Sequence, residues 1–151
     1  MNKYMQLAIS EAKQGIDNHH GGPFGSVVVK DGRIISMGHN HVLINNDSTC
    51  HGEIDAVRKA EHALGTFDLT GCDVYTTGQC CPMCLFALKW ANVNHVYYGC
   101  TLKDNEMIGF RDDVLNNSVK REDFKDFETE LDRDECLKLF EYYNKMDKEL
   151  Y

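Results

Sequence analysis

Residues 78–85 read GQCCPMCL, and what these thiols are for decides how the rest of the chain is read. Three chemistries would crowd Cys80, Cys81 and Cys84 around a proline: a disulfide staple, a redox pair, or half of a metal site. The flanking residues give the cluster a structural address. CDVYTT (72–77), with its β-branched and aromatic residues, predicts a strand. PMCLFALKWA (82–91) predicts a helix with Pro82 in its first turn, where the missing N–H costs nothing. Cys81-Pro82-Met83-Cys84 is therefore a Cys-x-x-Cys at a strand-to-helix junction, where helix N–H groups and the helix dipole favour thiolate.

Further out, the pattern keeps alternating. Met5, Ile9, Ala12 and Ile16 recur at helical spacing. FGSVVVKDGRIISMGHN (24–40) holds two β-rich runs around Asp31-Gly32, a hairpin signal. A helix is predicted from about His51 to Leu64, with Ile54, Val57, Ala60 and Leu64 on one face and Gly65 ending it. HVYYGC (95–100) predicts a fourth strand, and a last helix is expected over about 133–147. Strands alternating with helices predict an α/β layered fold with helices packed on a sheet. No linker or internal repeat divides the chain, so residues 1–151 are read as one domain.

A staple is not needed. A chain of 151 residues buries roughly two thirds of its unfolded surface in a single core. Seven cysteines is an odd count, which favours metal or thiol chemistry over a disulfide framework. No apolar run approaches the roughly 20 residues that span a bilayer. The N-terminal stretch mixes charges through its apolar positions, unlike a signal peptide, so a cytoplasmic protein is expected. The net charge of −8 opposes a nucleic-acid surface, and KREDFKDFE (120–128) reads as a solvated mixed-charge face.

A redox pair requires nothing else, whereas a metal requires more ligands. TCHGEIDAV (49–57) supplies one, with His51 and Glu53 at a predicted helix start. Residues two apart do not share a helix face, so these two suit different tasks. His51, Cys81 and Cys84 make three zinc (Zn2+) ligands with a fourth position open, the layout of a catalytic site. Such a metal lowers the pKa of a bound water, and Glu53, beside it but not bound to it, suits proton transfer. The alternative register, Cys80 with Cys84, would put Pro82 out of its expected place, so Cys80 is read as a spectator. Cys50, Cys72, Cys100 and Cys136 are read as buried structural thiols, and His19, His20, His39, His41, His62 and His95 as structural histidines.

His-x-Glu followed by Pro-Cys-x-x-Cys is the signature of the zinc deaminases of bases and nucleosides; here Cys80 stands where a proline normally precedes the first ligand cysteine. The chain thus resembles the cytidine deaminase superfamily and, more closely, its bacterial guanine deaminase branch. GGPFGSVVVKDG, HGEIDAVRKA, CCPMCLFALKWA and GFRDD carry the likeness over most of the length. The resemblance implies a three-layer α/β/α fold with a mixed five-stranded sheet, and a catalytic pair of Glu53 with Asp112. Asp113 remains the adjacent alternative for the second acid. It also implies that Asn40 reads the base and Phe24 stacks on it. Trp90 and Tyr151 would close the pocket in a homodimer that exchanges C-terminal segments.

The reaction so implied is hydrolytic deamination of a free nucleobase, guanine to xanthine. Gly52 matches fungal cytosine deaminases, where related guanine deaminases carry alanine, which makes cytosine the alternative substrate through a changed pocket wall. A tRNA adenosine deaminase comes third, opposed by the acidic charge. The non-enzymatic reading is a thiol redox or structural zinc module built on Cys81 and Cys84.

Overall fold

A computed structural model of the chain describes the backbone of all 151 residues and every side chain except that of Asp113. The alternative acid Asp113 therefore lies outside the described side chains. Strands β1 (Gly25–Lys30) and β2 (Arg33–His39) form the expected hairpin. Asp31 and Gly32 turn it at φ 50° and 74°, the positive pair a two-residue connection requires. β1 also pairs antiparallel with β3 (Cys72–Gly78). β3 runs parallel to β4 (His95–Cys100), and β4 parallel to β5 (Glu128–Glu130). The sheet is mixed, in the order β2-β1-β3-β4-β5.

The strand pleat sends alternate residues to two cores. Val28, Val74 and Val96 face α3 (Gly52–Leu64) and α4 (Pro82–Trp90), packing with Ala56, Val57, Ala60, Leu85 and Leu88. Val27, Val29 and Tyr75 face α1 (Lys3–Asp17) and α7 (Arg133–Asn144), packing with Met5, Ala8, Ala12, Leu139 and Phe140. Helices thus cover both faces, the three-layer arrangement that was expected. Asn2 starts α1 by accepting the N–H groups of Tyr4 and Met5 at 2.8 and 3.1 Å. Among the described residues, no helix is long and apolar enough to cross a membrane.

Four short pieces were not expected: α2 (Val42–Asn45), α5 (Leu102–Met107), α6 (Asp112–Asn116) and a 3-10 turn (Arg121–Phe124). α5 starts with a capping box. Thr101 and Asp104 exchange backbone and side-chain bonds, and Arg133 grips Asp104 with two nitrogens at 2.7 and 3.0 Å.

The mixed-charge stretch 120–128 corrects the expectation of a purely solvated face. Its Arg121 pairs with Glu128 at 3.1 Å, with side chains only 17% and 5% exposed, and donates to the carbonyl of Cys80. Phe124 and Phe127 of the same stretch pack on the α3/α4 core. Sign alternation along the chain hid this, because Glu128 belongs to a strand and Arg121 turns inward to meet it.

Candidate active site

His51 and Cys81 are the residues immediately before α3 and α4, both in extended backbone. The sheet brings these two helix starts together. His51 Nδ1 lies 3.5 Å from Cys81 Sγ and 3.5 Å from Cys84 Sγ. Zn–N near 2.05 Å and Zn–S near 2.3 Å at a tetrahedral angle give a nitrogen–sulfur edge of about 3.6 Å. Both nitrogen–sulfur edges therefore match a single zinc ion, and all three donor atoms lie within 4.8 Å of one another. Cys80 is fully buried but stands outside this group.

Electrostatics agrees with the donor set. A hydrogen bond from the Cys84 thiol, with His51 adding to it, brings the Cys81 thiol down to about 4, so one sulfur is already thiolate. Burial pushes the Cys84 thiol the other way and keeps its proton, which a cation would displace. Glu53 lies one residue inside α3, 4% exposed. Burial raises its pKa and the Cys81 charge raises it further, while His51 acts against them. Asp112, the first residue of α6, is likewise raised by burial and held back by a 2.7 Å hydrogen bond from Asn105 Nδ2.

Glu53, Asp112, Asn40, Phe24 and Tyr151 line one inner cavity of about 30 Å³ together with His51 and Cys81. An outer cleft of about 460 Å³ shares Asp112, Tyr151 and Phe110 with it. Asn40 is buried after β2; its Oδ1 accepts the Val42 N–H at 3.0 Å, leaving Nδ2 to donate to a ligand. Phe24 meets Phe110 edge-on at 4.9 Å and Phe140 at 5.7 Å. Tyr151 Oη accepts the Gly22 N–H at 3.0 Å, so the tail closes over the cavity of its own chain. Trp90 is the one expected pocket residue not brought in: it ends α4 at 85% exposure.

Residues 1–100 match the cytidine and deoxycytidylate deaminase zinc-binding region. The chain belongs to this family. Among its relatives, guanine deaminase of Bacillus subtilis (strain 168) is 40% identical over 118 residues, 78% of this chain and 76% of that one. A tRNA-specific adenosine deaminase of Agrobacterium fabrum is 40% identical over 96 residues, 64% and 62% of the two chains. The X-ray structure of guanine deaminase from Bacillus subtilis superposes with a TM-score of 0.75 at 34% identity, covering 100% of this chain and 99% of that one. The expected family and fold are both borne out, and the likeness to a guanine deaminase structure extends through the tail.

Two site features of this deaminase were beyond the sequence reading. Asn105 and Gln79 also line the inner cavity, and Asn105 Nδ2 reaches the Gln79 carbonyl at 3.4 Å as well as Asp112. Nothing in NEMIGF (105–110) announces this, because α5 alone delivers Asn105 to the cavity. The second feature corrects the expectation for Gly52. A Cβ there would lie 2.6 Å from the Phe24 carbonyl oxygen, so the bare α-carbon faces backbone rather than the cavity. Glycine here allows close packing of the Phe24 loop, not a wider pocket.

Proposed function

We propose that this chain is a zinc-dependent guanine deaminase, converting guanine and water to xanthine and ammonia. The observation that carries this reading is the convergence of Asn40, Phe24, Glu53 and Asp112 on one cavity beside the His51, Cys81 and Cys84 donors. Likeness to guanine deaminase over the full length supports it. Zinc held by His51, Cys81 and Cys84 would supply a water acidified towards neutrality as the nucleophile.

This chain's own residues do the rest. Asn40 Nδ2 donates to an acceptor on the purine edge, and its Oδ1 keeps a second lone pair for a ring N–H. Phe24, braced by Phe110 and Phe140, offers an apolar wall to the ring. Water adds at the ring carbon bearing the amino group. Glu53 takes one of its protons and gives it to the ring nitrogen beside that carbon, a task that a raised carboxyl pKa favours. Asp112 passes the proton of the newly added hydroxyl to the amino group, which leaves as ammonia as the C–N bond breaks and the carbonyl forms, and Tyr151 shuts out bulk water.

The same reading includes a homodimer. Met83, Phe86 and Trp90 lie at i, i+3 and i+7 on α4 and are 37%, 48% and 85% exposed, an apolar stripe suited to a second copy. There Trp90 would meet the partner, and each tail, which here closes its own chain's cavity, would occupy the equivalent place on the other subunit. The cytoplasm and a single functional domain complete the proposal.

The deciding experiment follows xanthine and ammonia from zinc-replete protein given guanine, cytosine, adenine or tRNA carrying a target adenosine. Guanine should be turned over far faster than the others, because buried groups built to hydrogen-bond one ring reject another. Cytosine or tRNA deamination without xanthine production would overturn the substrate assignment.

A further inference from the structure

Three histidines that this chemistry does not use come together: His20 in the loop after α1, His39 at the end of β2 and His41 before α2. Each offers a ring nitrogen within 4.8 Å of the other two. His20 Nδ1 lies 2.8 Å from His39 Nε2. The far side of each of the other rings is already engaged. His39 Nδ1 lies 2.7 Å from Glu11 Oε1, and His41 Nδ1 lies 2.6 Å from the backbone oxygen of His39. A carboxylate or carbonyl that accepts a hydrogen bond from Nδ1–H fixes the tautomer and leaves Nε2 as a lone-pair donor, which is how outer partners orient metal-binding histidines.

The surroundings are built to hold these rings. His39 is 6% exposed and packs where α1 carries Gly15; a Cβ there would stand 2.5 Å from His39 Cδ2. Glu11 and Gly15 are four residues apart, so one face of α1 supplies both the carboxylate and the space. The backbone is anchored as well. His20 N–H donates to the Gly15 carbonyl at 2.9 Å, and His41 N–H donates to that of Cys50 at 2.9 Å.

From this arrangement we propose that His20, His39 and His41 bind a transition-metal cation, at a second site separate from His51, Cys81 and Cys84. An all-imidazole set without thiolate suits Zn2+, Cu2+ or Ni2+ and discriminates against Mg2+ and Ca2+. The cation replaces the proton now shared between His20 and His39. An ion lies in the plane of each imidazole it binds, whereas His39 and His41 stack face to face at 4.1 Å and 19°. His41, with a side chain 20% exposed, therefore turns out of the stack and gives up its Nδ1 bond to the His39 carbonyl, while Glu11 keeps His39 in place. Asn40 sits between His39 and His41, so filling the site bears directly on the residue that faces the catalytic cavity.

The test titrates protein already carrying one zinc per chain with further Zn2+, read by calorimetry and by elemental analysis after desalting. One further equivalent is expected in the native protein and in Cys81→Ser, which loses the first. His41→Asn and His20→Asn should take up none. Glu11→Gln, which leaves the triad intact, should bind the second ion about 10- to 100-fold more weakly. Thermal melts establish that each variant is folded. Absence of a second equivalent in the native protein, or unchanged uptake in the folded histidine variants, would overturn the proposal.

Discussion

Asn105 Nδ2 donates to Asp112 Oδ2 at 2.7 Å, and Asn105 Oδ1 is buried with no partner among the described residues. The bond stabilises the charged carboxylate, so it works against the burial that raises the Asp112 pKa. In Asn105→Ala burial loses its largest opponent, leaving only the charges of His51 and Arg121 against it, and the Asp112 pKa rises further. The acid limb of the kcat profile should therefore move to higher pH, with turnover on the alkaline side retained. An unmoved profile would show that Asn105 has no part in setting this carboxyl.

The cysteine register is tested by metal content. Cys81→Ser and Cys84→Ser each remove one sulfur from the three-donor group and should emerge largely without zinc. Cys80→Ser should retain one equivalent, because its buried thiol stands outside that group. Zinc lost from Cys80→Ser and kept by Cys81→Ser would invert the register.

Glu53→Gln keeps the buried shape and removes the exchangeable proton. Turnover of the zinc-loaded variant should fall by at least about a hundredfold, the scale of a general acid–base group. Zinc content should not change, since Glu53 is not one of the three donors. Near-normal turnover would exclude Glu53 as the proton carrier.

Gly52→Ala places a methyl group 2.6 Å from the Phe24 carbonyl oxygen, a backbone atom that cannot swing aside. Overpacking of this kind costs about 1–3 kcal/mol and should appear as a lower midpoint in thermal melts. Substrate preference between guanine and cytosine should be little altered. A variant that melts like the native protein but switches preference would restore the pocket-wall reading of this glycine.

Tyr151→Phe keeps the ring packed on Phe110 at 5.3 Å and deletes only the bond from the Gly22 N–H. A loss of about 1 kcal/mol should raise KM roughly fivefold. Deleting the residue outright removes the apolar cover too and should cost much more. Equal kinetics in all three proteins would remove the tail from the site.

The donor set His51, Cys81 and Cys84 is legible in the amino-acid sequence alone, because helix-start chemistry is local. Pro82, the spacing of Cys81 and Cys84, and His51 with Glu53 each mark a helix N-terminus within a few residues. The hairpin at Asp31-Gly32 and the apolar faces of α1, α3 and α4 are likewise written in short-range periodicity. β5 is not, since Glu128–Glu130 is only three residues long and takes its identity from pairing with β4. Asn105 at Asp112, Arg121 with Glu128, Tyr151 over Gly22, and His20 against the His39–His41 stretch are contacts between residues up to 129 positions apart. No local pattern encodes such meetings. They follow from where the packed sheet and helices deliver each side chain, so only the tertiary structure could decide them.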